Sequence, residues 1–115
     1  MQLDKKDRPT RFFSKKQEDS VAKALGGARQ LNSGSTKFNK GDVMVDDWVI
    51  ECKTKVVPSE TMTMHKEWFT ELESDRAAES ASYSALCFSF GDGVNYYAMD
   101  EKTFKFLLSI ARGEN

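Results

Sequence analysis

The chain has 115 residues, 39% hydrophobic and 30% charged, which is the composition of one ordinary globular domain. No stretch of the sequence approaches the roughly 20 apolar residues of a membrane span, and no apolar run follows the charged N-terminus to form a signal peptide. We therefore expect a cytoplasmic protein with no membrane partner. One histidine and two cysteines are too few for a zinc site, and Cys52 and Cys87 are interpreted as reduced core residues.

The net charge of -1 conceals an uneven distribution along the chain. Residues 1–55 hold 12 Lys and Arg against 8 Asp and Glu, a net charge of +4, whereas residues 56–115 hold 5 against 10, a net charge of -5. Binding to duplex DNA depends on the neutralisation of phosphates. The basic half is therefore the candidate DNA face. The alternative is a solvated charge pattern without a partner.

The first elements in chain order are a basic arm and a helix. Residues 1–13 are polar and basic and are interpreted as an arm before a single domain at residues 14–115. Ser14 and Gln17 fit a capping box, and Gly26-Gly27 end the helix.

The rest of the chain alternates between strand and helix patterns. The predicted elements are a loop or irregular edge at 29–41, strands at about 42–46 and 48–56, a helix at about 63–81, strands at 83–90 and 95–99, and a helix at about 101–112. The second helix is expected to place Met64, Trp68, Leu72, Ala77, Ala78 and Ala81 on or near one apolar face. This order, α-β-β-α-β-β-α, predicts an α/β fold in which helices flank a mixed sheet.

Three charged residues, Asp42, Glu51 and Lys53, stand in the strands of a hairpin that otherwise has the pattern of a buried one, turned at Asp46-Asp47. Side chains alternate faces along a strand, so Glu51 and Lys53 share one face. Burying two charges costs several kcal/mol unless they are paired or bind a metal. Their placement therefore indicates chemistry rather than stability.

These residue types suit metal-dependent phosphodiester hydrolysis. Mg²⁺ takes oxygen ligands, polarises a phosphate and lowers the pKa of an attacking water. Asp42 and Glu51 are candidate ligands, and the backbone carbonyl of Cys52 is a third. Lys53 would orient the water or help to deprotonate it, and would offset charge on the phosphorane. An ExK pattern alone is weak evidence, but the acid nine residues earlier makes it more specific.

Glu18 adds a fourth polar group from the first helix. It lies three residues before Val21 and seven before Leu25, on the face that should be apolar. A metal, a metal-bound water or Lys53 would compensate for its charge. The alternative is a residue at the edge of the face that reaches solvent.

Four motifs therefore occur in order: Glu18 in a helix, Ser33-Gly34-Ser35 in a loop, Gly41-Asp42-Val43, and Glu51-Cys52-Lys53. Over roughly residues 14–55 this order resembles the PD-(D/E)XK nuclease superfamily, in particular the small archaeal-type Holliday junction resolvases and their phage-encoded relatives. Gly41 stands where a proline often precedes the acid, a position that shapes only the turn.

The resemblance implies a restriction-endonuclease-like fold and a homodimeric, Mg²⁺-dependent endonuclease that cuts symmetric strands of a four-way DNA junction, with Mn²⁺ as a substitute metal and no small-molecule cofactor. It implies Asp42, Glu51 and Lys53 as the site, with Glu18 assisting as a catalytic residue and metal ligand. It also gives Ser33 or Ser35 a role in cleavage. The activity would serve recombination or phage replication, in the host cytoplasm if the protein is phage-encoded.

Two other functions stay open at this point. Related small nucleases cut flaps, duplex ends or modified sites with the same residues, so a restriction-like or replication-repair nuclease is the first alternative. A non-catalytic DNA-binding module on the same fold is the alternative of another class.

DNA contacts and a dimer interface complete the expectations. Lysine and arginine of the arm, first helix and loop would bind phosphates without reading sequence: Lys5, Lys6, Arg8, Arg11, Lys15, Lys16, Arg29, Lys37 and Lys40. Cutting a symmetric junction needs two active centres, so a dimer follows from that function. Candidate interface residues on the last helix and the final strands are Phe88, Phe90, Tyr96, Tyr97, Phe104 and Phe106, with core packing as the alternative.

Overall fold

The computed structural model describes residues 10–29 and 42–114, and side chains within 13–28 and 43–114. Among these residues the helices are α1 (Thr10–Leu25), α2 (Lys66–Ala78) and α3 (Glu101–Ala111). The strands are β1 (Ala28–Arg29), β2 (Asp42–Val45), β3 (Trp48–Thr54), β4 (Tyr83–Ser89) and β5 (Tyr96–Ala98). The predicted α/β class is confirmed. No helix in the described ranges has the length and apolar character needed to cross a membrane.

The strands form one mixed sheet in the order β1-β2-β3-β4-β5. The β1–β2, β2–β3 and β4–β5 pairs are antiparallel, whereas β3 and β4 are parallel. A parallel pair needs a crossover connection, which α2 provides between β3 and β4. The β2–β3 hairpin turns at Asp46-Asp47, where Asp46 has a φ of 50°, a conformation that Asp tolerates in turns.

Three features of the predicted order are wrong. Helix α1 includes residues 10–13, which were assigned to the arm, so Ser14 lies inside the helix and does not cap it. Strand β1 occupies the start of the predicted loop, so the order is α-β-β-β-α-β-β-α. Its two residues are too few to show a period, and they are ordered by pairing with Val43 and Met44 of β2. Helix α2 is also shorter at both ends than predicted.

The core consists of two apolar clusters on opposite faces of the sheet. On one face, Val21 of α1 packs in a cluster with Val43, Ile50, Cys52, Ala85 and Cys87. On the other face, Leu72 of α2 packs in a cluster with Val49, Ala81 and Leu86. Cys52 and Cys87 are buried free thiols, as predicted. Because residues alternate along β3, Glu51 and Lys53 share the α2 face with Val49.

Helix α3 is only partly packed. It contains no buried residue, and Phe104 and Ile110 are 55% and 52% exposed. Its N-terminus is capped because the Asp100 side chain accepts a hydrogen bond from the Thr103 backbone N–H at 2.8 Å. Hydrogen bonding with the Thr103 side chain, and then with its backbone, holds the pKa of the Asp100 carboxyl below its usual value. The helix is therefore well formed but leaves much of its apolar surface open.

Candidate active site

Glu51 and Lys53 form an ion pair on the α2 face of the sheet. Lys53 Nζ lies 3.7 Å from Glu51 Oε1. Burial, opposed by the charge of Lys53 and assisted by the carboxylates of Glu71 and Asp75, raises the pKa of Glu51 to about 7. Glu51 Oε2 is buried and has no hydrogen-bond partner among the described residues. A carboxylate in this state is typical of functional sites.

Asp42 is the register partner of Glu51. The β2–β3 ladder pairs these two residues directly, and directly opposed residues occupy neighbouring positions on one face of a sheet. This pair is the last of the ladder that the structure describes, while β3 continues along β4 to Thr54. The hairpin thus brings together three of the predicted site positions at one end of the described ladder.

Helix α2 contributes two acids to which the sequence prediction assigned no role. Asp75 is only 7% exposed, and with Leu72 it is one of the two buried residues of the helix. Ala77 and Ala78, which were predicted to face the core, are exposed instead. The spacing in the sequence could have indicated that Asp75 faces the site, because Asp75 lies three residues after Leu72 and four after Glu71, on one helical face.

Lys53 is held through both its side chain and its backbone. Its ammonium lies 5.2 Å from the centre of the Trp68 ring on α2, in a cation–π arrangement. Gln17 of α1 donates a hydrogen bond from Nε2 to the Lys53 carbonyl at 2.9 Å. The same nitrogen lies 3.4 Å from Asn95 Oδ1 and 3.7 Å from Cys87 Sγ. Gln17, predicted to cap α1, therefore ties the helix to the end of β3.

Glu18 is fully buried, so it is not a residue at the edge of its helix that reaches solvent. Helix α1 packs against the face that carries Ile50 and Cys52, whereas Glu51 lies on the α2 face. The charges that shift the pKa of Glu51 most are those of Lys53, Glu71 and Asp75. The part of Glu18 in a shared site therefore stays a prediction.

Other predicted residues are described only in part. Ser33, Ser35, Lys5, Lys6, Arg8, Lys37 and Lys40 lie outside the described residues, and Arg11, Arg29 and Asp42 are described by their backbone alone. Lys15 and Lys16 are exposed on α1. Among the described residues, no three His, Cys, Asp or Glu side chains are close enough to hold a metal ion.

Comparisons of this chain with protein-family models, with curated proteins and with solved structures find no match.

Proposed function

We propose that this protein is a metal-dependent DNA endonuclease of the PD-(D/E)XK type, acting on Holliday junctions. The observation that carries the proposal is the state of Glu51: a buried carboxylate with a pKa of about 7, an ammonium at 3.7 Å and an acidic residue opposite it in register. A purely structural ion pair has no need of a second and third acid nearby, because each added carboxylate raises the cost of ionising Glu51.

The orphaned oxygen of Glu51 fits a cation. A buried acceptor without a partner costs about 1–3 kcal/mol, which a bound ion would offset. Asp42, Glu51 and the Cys52 carbonyl would hold Mg²⁺, or Mn²⁺ in its place, because hard cations take oxygen ligands. The bound ion would polarise the phosphate and acidify water. An assisting role for Glu18 stays a prediction, because this buried residue belongs to α1, which packs on the face opposite Glu51.

Lys53 would act on the attacking water and on the charge of the phosphate. The Lys53 side chain contacts Glu51 and Trp68 and is 31% exposed, so a phosphate can approach it from solvent. The hydrogen bond from Gln17 holds its backbone in place. Lys53 would orient the attacking water and offset the negative charge that develops on the phosphorane.

The basic surface of α1 supports DNA as the substrate. Lys15 and Lys16 are exposed and directly precede Gln17, whose side chain reaches the Lys53 carbonyl. They therefore lie at the part of α1 that meets the end of β3. Lysines there would hold phosphates and fix the position of the DNA without reading its sequence.

A panel of DNA structures tests the proposed activity. The protein is incubated with Mg²⁺ and a four-way junction, a flap, a linear duplex or single-stranded DNA. We expect paired, symmetric nicks at the junction and none when EDTA replaces Mg²⁺. Preferred cutting of flaps or linear duplex would replace the junction with the substrates of a restriction-like or repair nuclease. Binding without cleavage of any DNA would indicate a non-catalytic DNA-binding module.

Replacing Asp42 with Ala separates chemistry from binding. Asp42→Ala should reduce cleavage to background because one of the proposed oxygen ligands is lost, while junction binding persists through the basic residues. Gel-shift and cleavage assays on the same junction measure the two effects. Asp46→Asn, in the exposed hairpin turn, removes a charge with a residue that tolerates the positive φ of this position, and as the control it should cleave normally. Unchanged cleavage by Asp42→Ala would contradict the metal-site assignment.

The open face of α3 supports the proposed homodimer. Phe104 and Ile110 are 55% and 52% exposed on a helix that contains no buried residue, whereas the Phe106 ring stacks on Tyr83 with centroids 4.6 Å apart. An amphipathic helix is stabilised mainly by burial of its apolar stripe, and a second copy would bury this one.

Charge placed on this helix tests the interface. Phe104→Glu and Ile110→Glu should each weaken self-association by about 30-fold or more, the effect of removing an interface hot spot. Sedimentation velocity over a concentration series measures the constant. Lys105→Glu introduces the same side chain at a polar, exposed position of α3 and should leave association unchanged. A native chain that is monomeric throughout the series would refute the dimer.

A further inference from the structure

Three aromatic side chains continue the sheet face that carries Glu51 and Lys53. The register pairs Lys53 with Phe88 on β4, and Phe88 with Tyr96 on β5. The rings of Phe88 and Tyr96 are stacked, with centroids 5.6 Å apart and planes inclined by 23°. Phe90 packs edge-on against both, at 5.9 Å and 5.7 Å. We call Phe88, Phe90 and Tyr96 the aromatic row.

Tyr96 presents the accessible ring of this row. It is 46% exposed on β5, which ends the order of strands in the described sheet, whereas Phe88 and Phe90 are half-buried behind it. The two phenylalanine rings therefore hold the tyrosine ring without covering it. Exposed aromatic rings supported in this way are found at binding surfaces more than in cores.

The aromatic row lies beside Lys53 on the same face of the sheet. Neighbouring strands are about 4.8 Å apart, so Phe88 and Tyr96 lie one and two strand spacings from Lys53 on the same face. A nucleotide whose phosphate is held at Lys53 would have its base over these rings. Aromatic rings stack on any base, but a base paired within a continuous duplex has no free face to offer.

We propose that the aromatic row stacks an unpaired base next to the cleaved phosphodiester bond. This inference rests on the proposed nuclease function and narrows its substrate class. The preferred DNA then has unpaired nucleotides at the cleavage point, as at an open junction centre or a flap, and an uninterrupted duplex is a poor substrate.

Tyr96 and its neighbour Tyr97 provide a matched test. The two tyrosines are adjacent and 46% and 38% exposed, but Tyr97 pairs with Cys87 and so lies on the opposite face. Tyr96→Leu removes the ring and keeps an apolar side chain, Tyr96→Phe keeps the ring, and Tyr97→Leu removes a ring from the other face.

Fluorescence anisotropy of a labelled single-stranded oligothymidylate, in EDTA to prevent metal-dependent cleavage, measures binding to the native chain and the three variants. We expect Tyr96→Leu to weaken binding about 5- to 100-fold, the loss of one stacked base, and Tyr96→Phe and Tyr97→Leu to bind like the native chain. Binding of a matched duplex should not change. Circular dichroism and thermal unfolding establish that each variant is folded.

Equal losses for Tyr96→Leu and Tyr97→Leu, or no loss for Tyr96→Leu, would overturn the proposal. So would a Tyr96→Leu defect seen only in sedimentation, which would make the row a contact between two copies. Binding that depends on Tyr96 without cleavage of any DNA would refute the nuclease function but retain the stacking site. Cleavage of junctions that does not depend on Tyr96 would support the nuclease function and refute the stacking site.

Discussion

Replacing Glu51 with Gln should abolish Mg²⁺-dependent cleavage and at the same time stabilise the fold above neutral pH. Burial raises the pKa of Glu51 from 4.5 to about 7. Between these values the native state holds a proton that the unfolded state has released, so the free energy of unfolding falls as pH rises from 4.5 through 7. Gln cannot ionise, and the variant escapes this loss.

The expected gain for Glu51→Gln is about 1 to 3 kcal/mol at pH 8 and close to zero at pH 4, after allowance for the partial solvation of Lys53 beside it. Urea unfolding at the two pH values measures it. Glu73→Gln is the control, because Glu73 is exposed and its hydrogen bond with Arg76 lowers its pKa, so its removal should not stabilise the fold at pH 8.

Mg²⁺ adds a readout that does not depend on catalysis. At pH 8 the ion should raise the unfolding temperature of the native chain, because it binds the ionised carboxylate in the folded state only. It should raise that of Glu51→Gln much less. A Glu51→Gln variant that cleaves normally, or that loses stability at pH 8, would show that this carboxylate is a structural partner of Lys53 and no more.

Lys53→Met should reduce cleavage by about 100-fold or more with little change in DNA affinity, since the charge is needed at the phosphorane rather than for docking. Methionine keeps an apolar stem against Trp68, which limits the loss of packing. Lys53 also lowers the pKa of Glu51, so its removal should move the pH-dependent loss of stability to higher pH.

Lys55→Met is the matched control for this change. Lys55 follows two residues later, is exposed and lies beyond the end of β3. The Lys55→Met variant loses the same charge in nearly the same place. It therefore separates a specific role of Lys53 in cleavage from the general attraction of DNA by positive charge. Single-turnover cleavage with each variant measures the effect. Similar rate losses for Lys53→Met and Lys55→Met would refute a catalytic role for Lys53.

The sequence alone determined the local features of this protein. The α/β class, the bounds of five elements (β2, β3, β4, β5 and α3) to within two residues, and the turn at Asp46-Asp47 follow from periodicity and turn chemistry. The common face of Glu51 and Lys53 follows from the twofold repeat of a strand, and the position of Glu18 on the apolar face of α1 follows from the 3.6-residue repeat of a helix. That Glu18 is buried rather than open to solvent was decided by the structure. Such repeats are properties of the backbone and need no knowledge of distant residues.

Only the tertiary structure decided what surrounds these residues. The approach of Asp75 to Glu51 and the bond from Gln17 to the Lys53 carbonyl join segments that are distant in sequence. Strand β1 exists because β2 pairs with it, and α1 lies on the face opposite Glu51 because the connections place it there. The pKa of Glu51 depends on these contacts, because desolvation and neighbouring charge arise only when the chain is folded.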